Sequence, residues 1–323
     1  MSKSKKIVKI IVTVIISLLA IALITATLTV CIRGSIKNET LPENFNESLS
    51  QVSCEKEEND IRIMTSNLLV HYKSWGGSDA HPRAKMFFSM LDTYKPDVIG
   101  LQEISDQWYS ILMMNKGNYK MLYPVTTGVT LRMTGLMYNS DTLELVDKGE
   151  QKFSQGNDAR LRRMVWGIFK NKSTGEEFAV ISTHFDTIRP NEEELMLSYM
   201  KTQIDEIEAK STELKTQYKV PVFSIGDFNT KPNGEGVDEA MDVPEIYYEL
   251  CEKLTDTKNI AIKTQSGKVC SVDTPTWDHI FVDGEANINQ YVLLSSDALS
   301  DMSDHYPVFV DVNFSNDGKE NNE

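Results

Sequence analysis

Cysteine is scarce in this chain. Its 323 residues hold four, at Cys31, Cys54, Cys251 and Cys270, and none falls in a CxxC or Cys/His zinc spacing. A structural zinc site is therefore not expected, and a Cys251–Cys270 disulfide stands beside the alternative of unpaired thiols. Positive charge is also short: 33 Lys and Arg face 47 Asp and Glu, a formal net charge of −14. Such a surface repels polyanions and lacks the basic stripe of a high-affinity nucleic-acid binder. A brief contact through a local basic patch and a metal ion stays open. Neither a GxSxG nucleophile elbow nor a phosphate-binding P-loop occurs, and no internal repeat is visible. What is present, 41% hydrophobic and 25% charged residues, suits a globular protein with a substantial core.

One long uncharged run, Ile10 to Ile32, follows Lys3, Lys5, Lys6 and Lys9. It is long enough to cross a bilayer as a helix, and the lysine-rich side should stay in the cytoplasm. A cleaved signal peptide is the competing reading, although its apolar core is normally shorter and ends at small residues. Leu28-Thr29-Val30-Cys31 departs from a lipoprotein box at the bulky Val30. The expected organisation is a basic cytoplasmic segment at 1–9, a transmembrane anchor at 10–32 and a polar linker at 33–60. A catalytic domain at 61–314 and a disordered tail at 315–323 follow. The domain would lie outside the cytoplasm.

Strand and helix signals alternate through the domain. Strands are expected at 61–65, 98–101, 134–138, 143–146, 220–225, 277–282, 291–294 and 306–314, with a hairpin joining 163–170 to 177–183. Helices are expected at 84–94, 106–114 and 191–216, the last turning Leu195, Tyr199, Ile204 and Ile207 toward a sheet. This order suits two packed sheets with outer helices.

Polar residues stand where the apolar strands end: Asn67, Glu103, His184, Asp227, Asn229, Asp278 and the Asp304-His305 pair. Taken singly, each is as well explained by a turn, a cap or a surface charge. Together they are hard oxygen ligands suited to Mg²⁺, with imidazoles able to move protons near neutral pH. That set points to water attacking phosphorus beside a metal.

Six segments carry a specific resemblance: Thr65-Ser66-Asn67-Leu68, Pro96 to Glu103, Ser182-Thr183-His184-Phe185-Asp186, Ile225-Gly226-Asp227-Phe228-Asn229, Trp277-Asp278-His279-Ile280-Phe281 and Ser303 to Val308. In kind and order they resemble the endonuclease/exonuclease/phosphatase superfamily. It includes pancreatic deoxyribonuclease, apurinic endonucleases, bacterial sphingomyelinases and inositol polyphosphate phosphatases. The resemblance implies a four-layer α/β sandwich, two central mixed sheets flanked by helices, with the site at one edge of both. It implies Glu103 as principal ligand of Mg²⁺, or of Mn²⁺ in its place, with Asn67 and Asp304 completing the metal environment. Asp227 and Asn229 would orient water and phosphate, His305 would be the catalytic histidine supported by Asp278, and His184 a second histidine. Asp227 and the His305–Asp278 pair compete as base. A carboxylate beside a metal is a weak base, so His305 is the expectation.

The substrate is less legible. Arg160, Arg162 and Arg163 form a basic group on an acidic chain, with Arg163 and Asn229 the expected phosphate contacts and a solvated loop the alternative. Trp75 lies in a loop that would flank the site. The membrane-entering hairpin of sphingomyelinases and the minor-groove loop of deoxyribonucleases are not recognisable, and the fold itself selects no substrate. Three readings follow: a hydrolase of small-molecule or lipid-headgroup phosphoesters, an extracellular nuclease acting on DNA or RNA, and a non-catalytic binding module on the same scaffold.

Overall fold

Apolar residues along the strands fill three layers of packing between four layers of structure. The structure, a computed structural model, describes residues 3–50, 54–122, 134–156, 162–232, 243–264 and 276–314. Its strands are β1 (Ile61–Asn67), β2 (Val98–Gln102), β3 (Tyr119–Leu122), β4 (Gly135–Asn139), β5 (Leu143–Lys152), β6 (Arg163–Asn171) and β7 (Glu177–His184). They continue with β8 (Val222–Asp227), β9 (Thr255–Asp256), β10 (Lys263–Thr264), β11 (Asp278–Asp283), β12 (Asn287–Leu293) and β13 (Val308–Asn313). The helices are α1 (Lys3–Arg33), α2 (Phe45–Ser50), α3 (Ala80–Tyr94), α4 (Asp106–Asn115), α5 (Glu193–Tyr218), α6 (Pro244–Lys253), α7 (Thr257–Ile260) and α8 (Asp297–Ser300).

One sheet has the order β10-β12-β13-β1-β2-β4-β3, the other β5-β6-β7-β8-β11-β9. Both are mixed: β1 and β2 run parallel in the first, β7 and β8 in the second. Ile61, Ile63, Val98 and Val310 from the first sheet meet Val180, Phe223, Ile225 and Ile280 from the second. The opposite face of the first sheet packs Met64, Ile99 and Phe309 on α3 and α4, and that of the second packs Ile181 and Phe281 on α5 and α6. Central strands β1 and β8 are buried along their whole length on both faces, including their polar residues. The expected four-layer α/β sandwich is therefore present.

Three expectations change. Residues 33–60 are not a free polar linker. Ile36, Phe45, Leu49 and Cys54 are buried in the core beneath α3 and α4, with α2 formed in between. Four apolar residues set far apart in a polar stretch give no periodicity to read, yet each finds a pocket. Leu49→Ala should lower unfolding stability by about 2 to 3 kcal/mol in denaturant titration, because a short outer helix can settle partly into the gap. A change under about 0.5 kcal/mol would restore the linker reading.

On α5 Ile204 and Ile207 are buried as expected, but in the first turns Met196 and Met200 face inward where Leu195 and Tyr199 were expected, and Leu195 is 47% exposed. Helix α3 begins earlier than its apolar residues suggest, because Asp79 caps it by accepting from His81 N at 3.1 Å. Neither Cys54 nor Cys251 is in a disulfide among the described residues; Cys270 and the 315–323 tail lie outside them.

Within α1, Val8–Leu28 has a mean hydropathy of 2.7 and no residue buried against the rest of the chain. Its length and composition suit a membrane span and also a signal sequence.

Candidate active site

Strand pairing, not sequence proximity, assembles the site. His184 ends β7, Asp227 ends β8 and Asp278 opens β11. In register, His184 and Asp278 both lie opposite Asp227. Three side chains distant in sequence thus form one row across the second sheet. The backbone before Asp227 admits only glycine: Gly226 has φ 149°, and a Cβ there would stand 2.1 Å from Thr183 O.

Asp227 is the hub. Its Oδ2 accepts from Asn67 Nδ2 at 3.0 Å and lies 3.1 Å from His184 Nε2 and 3.9 Å from His305 Nε2. Its Oδ1 accepts from Asn229 N at 2.9 Å. Burial alone would raise the Asp227 pKa, but His184 and His305 outweigh it and hold the carboxyl well below the usual range. Behind this hub, His305 Nδ1 meets Asp278 Oδ2 at 2.5 Å, while Asp278 Oδ1 is buried without a hydrogen-bond partner among the described residues. Burial pushes Asp278 up to about 6, against the pull of His305. Burial pulls His305 down, but Asp278 and Asp227 outweigh it and raise its pKa well above the ordinary value. His305 and Asp278 thus form one close hydrogen-bonded pair. His184 is shifted the other way, by burial and then by the charge of Arg162.

The first sheet supplies the other half. Asn67 ends β1 and Glu103 follows β2. Glu103 Oε2 accepts from Val70 N at 2.9 Å, and Asn67 Oδ1 accepts from Leu69 N at 2.9 Å. Ser303 Oγ donates to Asn67 O at 2.7 Å and sets exposed Asp304 at the mouth. Glu103 (φ 59°), Leu69 (φ 52°) and Asn229 (φ 50°) are all left-handed without being glycine. Such conformations cost energy and gather at functional sites. Arg83 offsets part of that cost. Buried to 4% exposure, it donates to Leu68 O, Leu69 O, Val70 O, Ser78 O and Met302 O, fastening both loops around the site. No motif or spacing marks Arg83 for this role.

Arg163 precedes the Met164–Thr183 pair of the β6–β7 ladder as His184 follows it, so the two share the face that Val165 and Val180 turn toward the first sheet, and Arg163 Nη1 also bonds Glu150 on β5 at 2.7 Å. Arg162, one residue earlier, is the arginine whose charge bears on His184. It is 6% exposed, with Nε 3.4 Å from Asp186 Oδ1; Asp186 in turn accepts from Gln203 Nε2 at 2.8 Å. Arg160 and the side chain of Trp75 lie outside the described residues. Trp277 stands 5.6 Å from the His305 ring, and Lys231 Nζ lies 4.6 Å over Trp277. Neither contact was readable from spacing.

One atom each from Asp227, Asp278 and His305 fall within 4.8 Å of one another, a spacing that suits a metal as well as a proton relay. Glu103, Asn67 and Asp304, after β2, at the end of β1 and before β13, each carry oxygen donors of the kind hard cations prefer.

No family model matches the sequence. The Arabidopsis thaliana protein named Carbon catabolite repressor protein 4 homolog 3 is 22% identical over 172 residues, 53% of this chain and 36% of that protein. The chain thus matches about a third of that relative's length. Among solved structures, an endonuclease/exonuclease/phosphatase family protein from Bacteroides thetaiotaomicron superposes with a TM-score of 0.63 and 21% identity, over 80% of this chain and 99% of that one. A mannosyl-6-phosphatase from the same organism gives 0.60 and 22%, over 79% and 100%. The protein therefore has the fold of the endonuclease/exonuclease/phosphatase proteins.

Proposed function

We propose that this chain is a divalent-metal-dependent phosphoesterase acting on a small-molecule or lipid-headgroup phosphoester. The observation that carries the reading is Asp227, gripped by Asn67, Asn229 and His184 and faced by the His305–Asp278 pair. A turn aspartate needs no such surroundings. Glu103, Asn67 and Asp304 are the residues that would hold Mg²⁺, or Mn²⁺, and the bound ion supplies polarisation of the phosphoryl group. The oxygen set is preferred over the Asp227–Asp278–His305 trio because His305 and Asp278 are already hydrogen-bonded to each other.

Asp227, ionised, orients the attacking water with Asn229 and accepts its proton as the new P–O bond forms. His305, charged by its carboxylate neighbours, is better suited to donate a proton to the leaving oxygen than to act as base. His184 positions Asp227. Arg163, beside His184, and Arg162, braced by Asp186, are the arginines that would grip phosphate oxygens. The N-terminal lysines hold α1 in a membrane with residues 61–314 outside the cytoplasm. Acidic net charge disfavours the nuclease reading.

Full-length protein in detergent should hydrolyse a soluble nitrophenyl phosphodiester or monoester with Mg²⁺, stop in chelator and recover on Mg²⁺ addition. Turnover indifferent to chelator defeats the reading. Glu103→Gln should raise the Mg²⁺ concentration for half activity by about tenfold or more; an unchanged requirement would move the metal to the histidine trio. DNA cleavage falling steeply with salt would favour the nuclease. Arg162→Gln and Arg163→Gln should each cost about 10- to 100-fold in kcat/KM, the scale of one charged hydrogen bond; a loss within about twofold would remove that arginine from the phosphate.

A further inference from the structure

The apolar helix is joined to the domain without slack. It ends at exposed Arg33, and the next residue, Gly34, is already buried against α4. A Cβ at Gly34 would stand 2.2 Å from Ser110 O and 2.7 Å from Met114 Cγ, so only glycine permits this seat. Two polar contacts lock it. His81 Nε2 donates to Arg33 O at 2.8 Å and Asn115 Nδ2 to Gly34 O at 2.7 Å. Ile36, two residues on, is in the core. A flexible tether would let the domain tumble; this junction does not.

The surface around the junction has the chemistry of a membrane contact. Met113 and Met114, at the end of α4, are 38% and 42% exposed beside the departing helix. Arg33, Lys37 and Lys116 lie at the same junction, cations gathered on a chain of net charge −14. Apolar tips rimmed by lysine and arginine fit the headgroup zone of an anionic leaflet. The junction also adjoins the site. His81 is bonded to Asp79, the cap of α3, and Arg83 one turn on fastens residues 68–70. Val70 N there holds Glu103.

We propose that the domain rests directly on the bilayer that α1 enters, seated through residues 33–37 and the end of α4, and takes its phosphoester from that same membrane surface. This rests on the phosphoesterase reading and narrows its substrate to membrane-borne phosphoesters. A site held at headgroup height meets lipid at high effective concentration and in fixed orientation.

The test uses the full chain in vesicles of phosphatidylcholine, phosphatidylserine and phosphatidic acid, which present diesters and a monoester. Wild type is compared with a flexible Gly/Ser insertion between Arg33 and Gly34 and with the double variant Met113→Asp, Met114→Asp. Three quantities are read: amide exchange over residues 111–118, lipid headgroup or phosphate release, and turnover of a soluble nitrophenyl ester. Both variants should exchange faster over 111–118 and lose about tenfold or more of lipid turnover, with soluble turnover unchanged. Equal exchange in all three proteins overturns the seat. Soluble turnover without any lipid turnover overturns the substrate assignment. Recovery of a soluble domain lacking residues 1–33 overturns both. Absence of soluble and lipid turnover together would instead refute the phosphoesterase reading, and exchange would still decide the seat.

Discussion

Asp227→Asn should lower kcat on a soluble phosphoester by about a thousandfold, within the range typical of removing a group that directs proton transfer. The replacement is isosteric, so its effect reports charge and hydrogen-bond polarity. The carboxylate now accepts from Asn67 Nδ2, Asn229 N and His184 Nε2. An asparagine has one acceptor oxygen, and its NH₂ must point at one of these donors or at His305. Loss of the negative charge also removes one of the three carboxylates, beside Asp278 and Asp304, that raise the His305 pKa. Both consequences fall on kcat more than on KM, and near-ultraviolet circular dichroism should stay native. The double variant Asp227→Asn, His305→Ala should be little worse than either single one, because residues acting as a unit are not additive. A kcat within about tenfold of wild type would remove Asp227 from the chemistry.

How much of this was legible in the sequence depends on which physical signal each residue leaves. Asn67, Glu103, His184 and Asp227 each terminate an apolar run, so their places at strand ends could be read directly. That His184 and Asp278 flank Asp227 in one row could not, because strand order is a property of the folded sheet. That Arg163 shares the face of His184 turned on the parity of a strand's first residue, which a single-residue slip reverses. The strap at 34–60 hid its role because Ile36, Phe45, Leu49 and Cys54 are too sparse for any period. The left-handed backbone at Glu103 left no mark, since glutamate does not announce positive φ, whereas Asn229 is of the type that adopts it most readily after glycine. Side chains that hold others in place, Arg83 above all, are the class the sequence conceals. Their partners are carbonyl oxygens, and every residue has one.

The same reasoning applies at the far end of β1, where a second buried arginine carries stability and no chemistry. Arg62 Nε and Nη2 pair with both oxygens of Asp311 at 2.7 Å, Nη1 donates to Tyr94 O, Nη2 also donates to Cys54 O, and the guanidinium lies 4.3 Å from the Phe309 ring centre. The exposures are 2% and 0%. Asp311→Ala leaves that cation buried without its counter-charge and should cost about 3 to 5 kcal/mol in denaturant titration. Replacing the pair by Arg62→Met with Asp311→Leu should cost less than the single change, because no charge is then stranded. Arg62 ties the strap through Cys54 O, and Lys56 ties it again through Asp97 at 2.7 Å. The first proteolytic cuts in Asp311→Ala should therefore fall in the strap. Turnover at temperatures where the variant remains folded should match wild type, since Asn67 stands at the other end of the strand. Equal destabilisation by the single and double variants would show that packing around Phe309, and not the stranded charge, sets the cost.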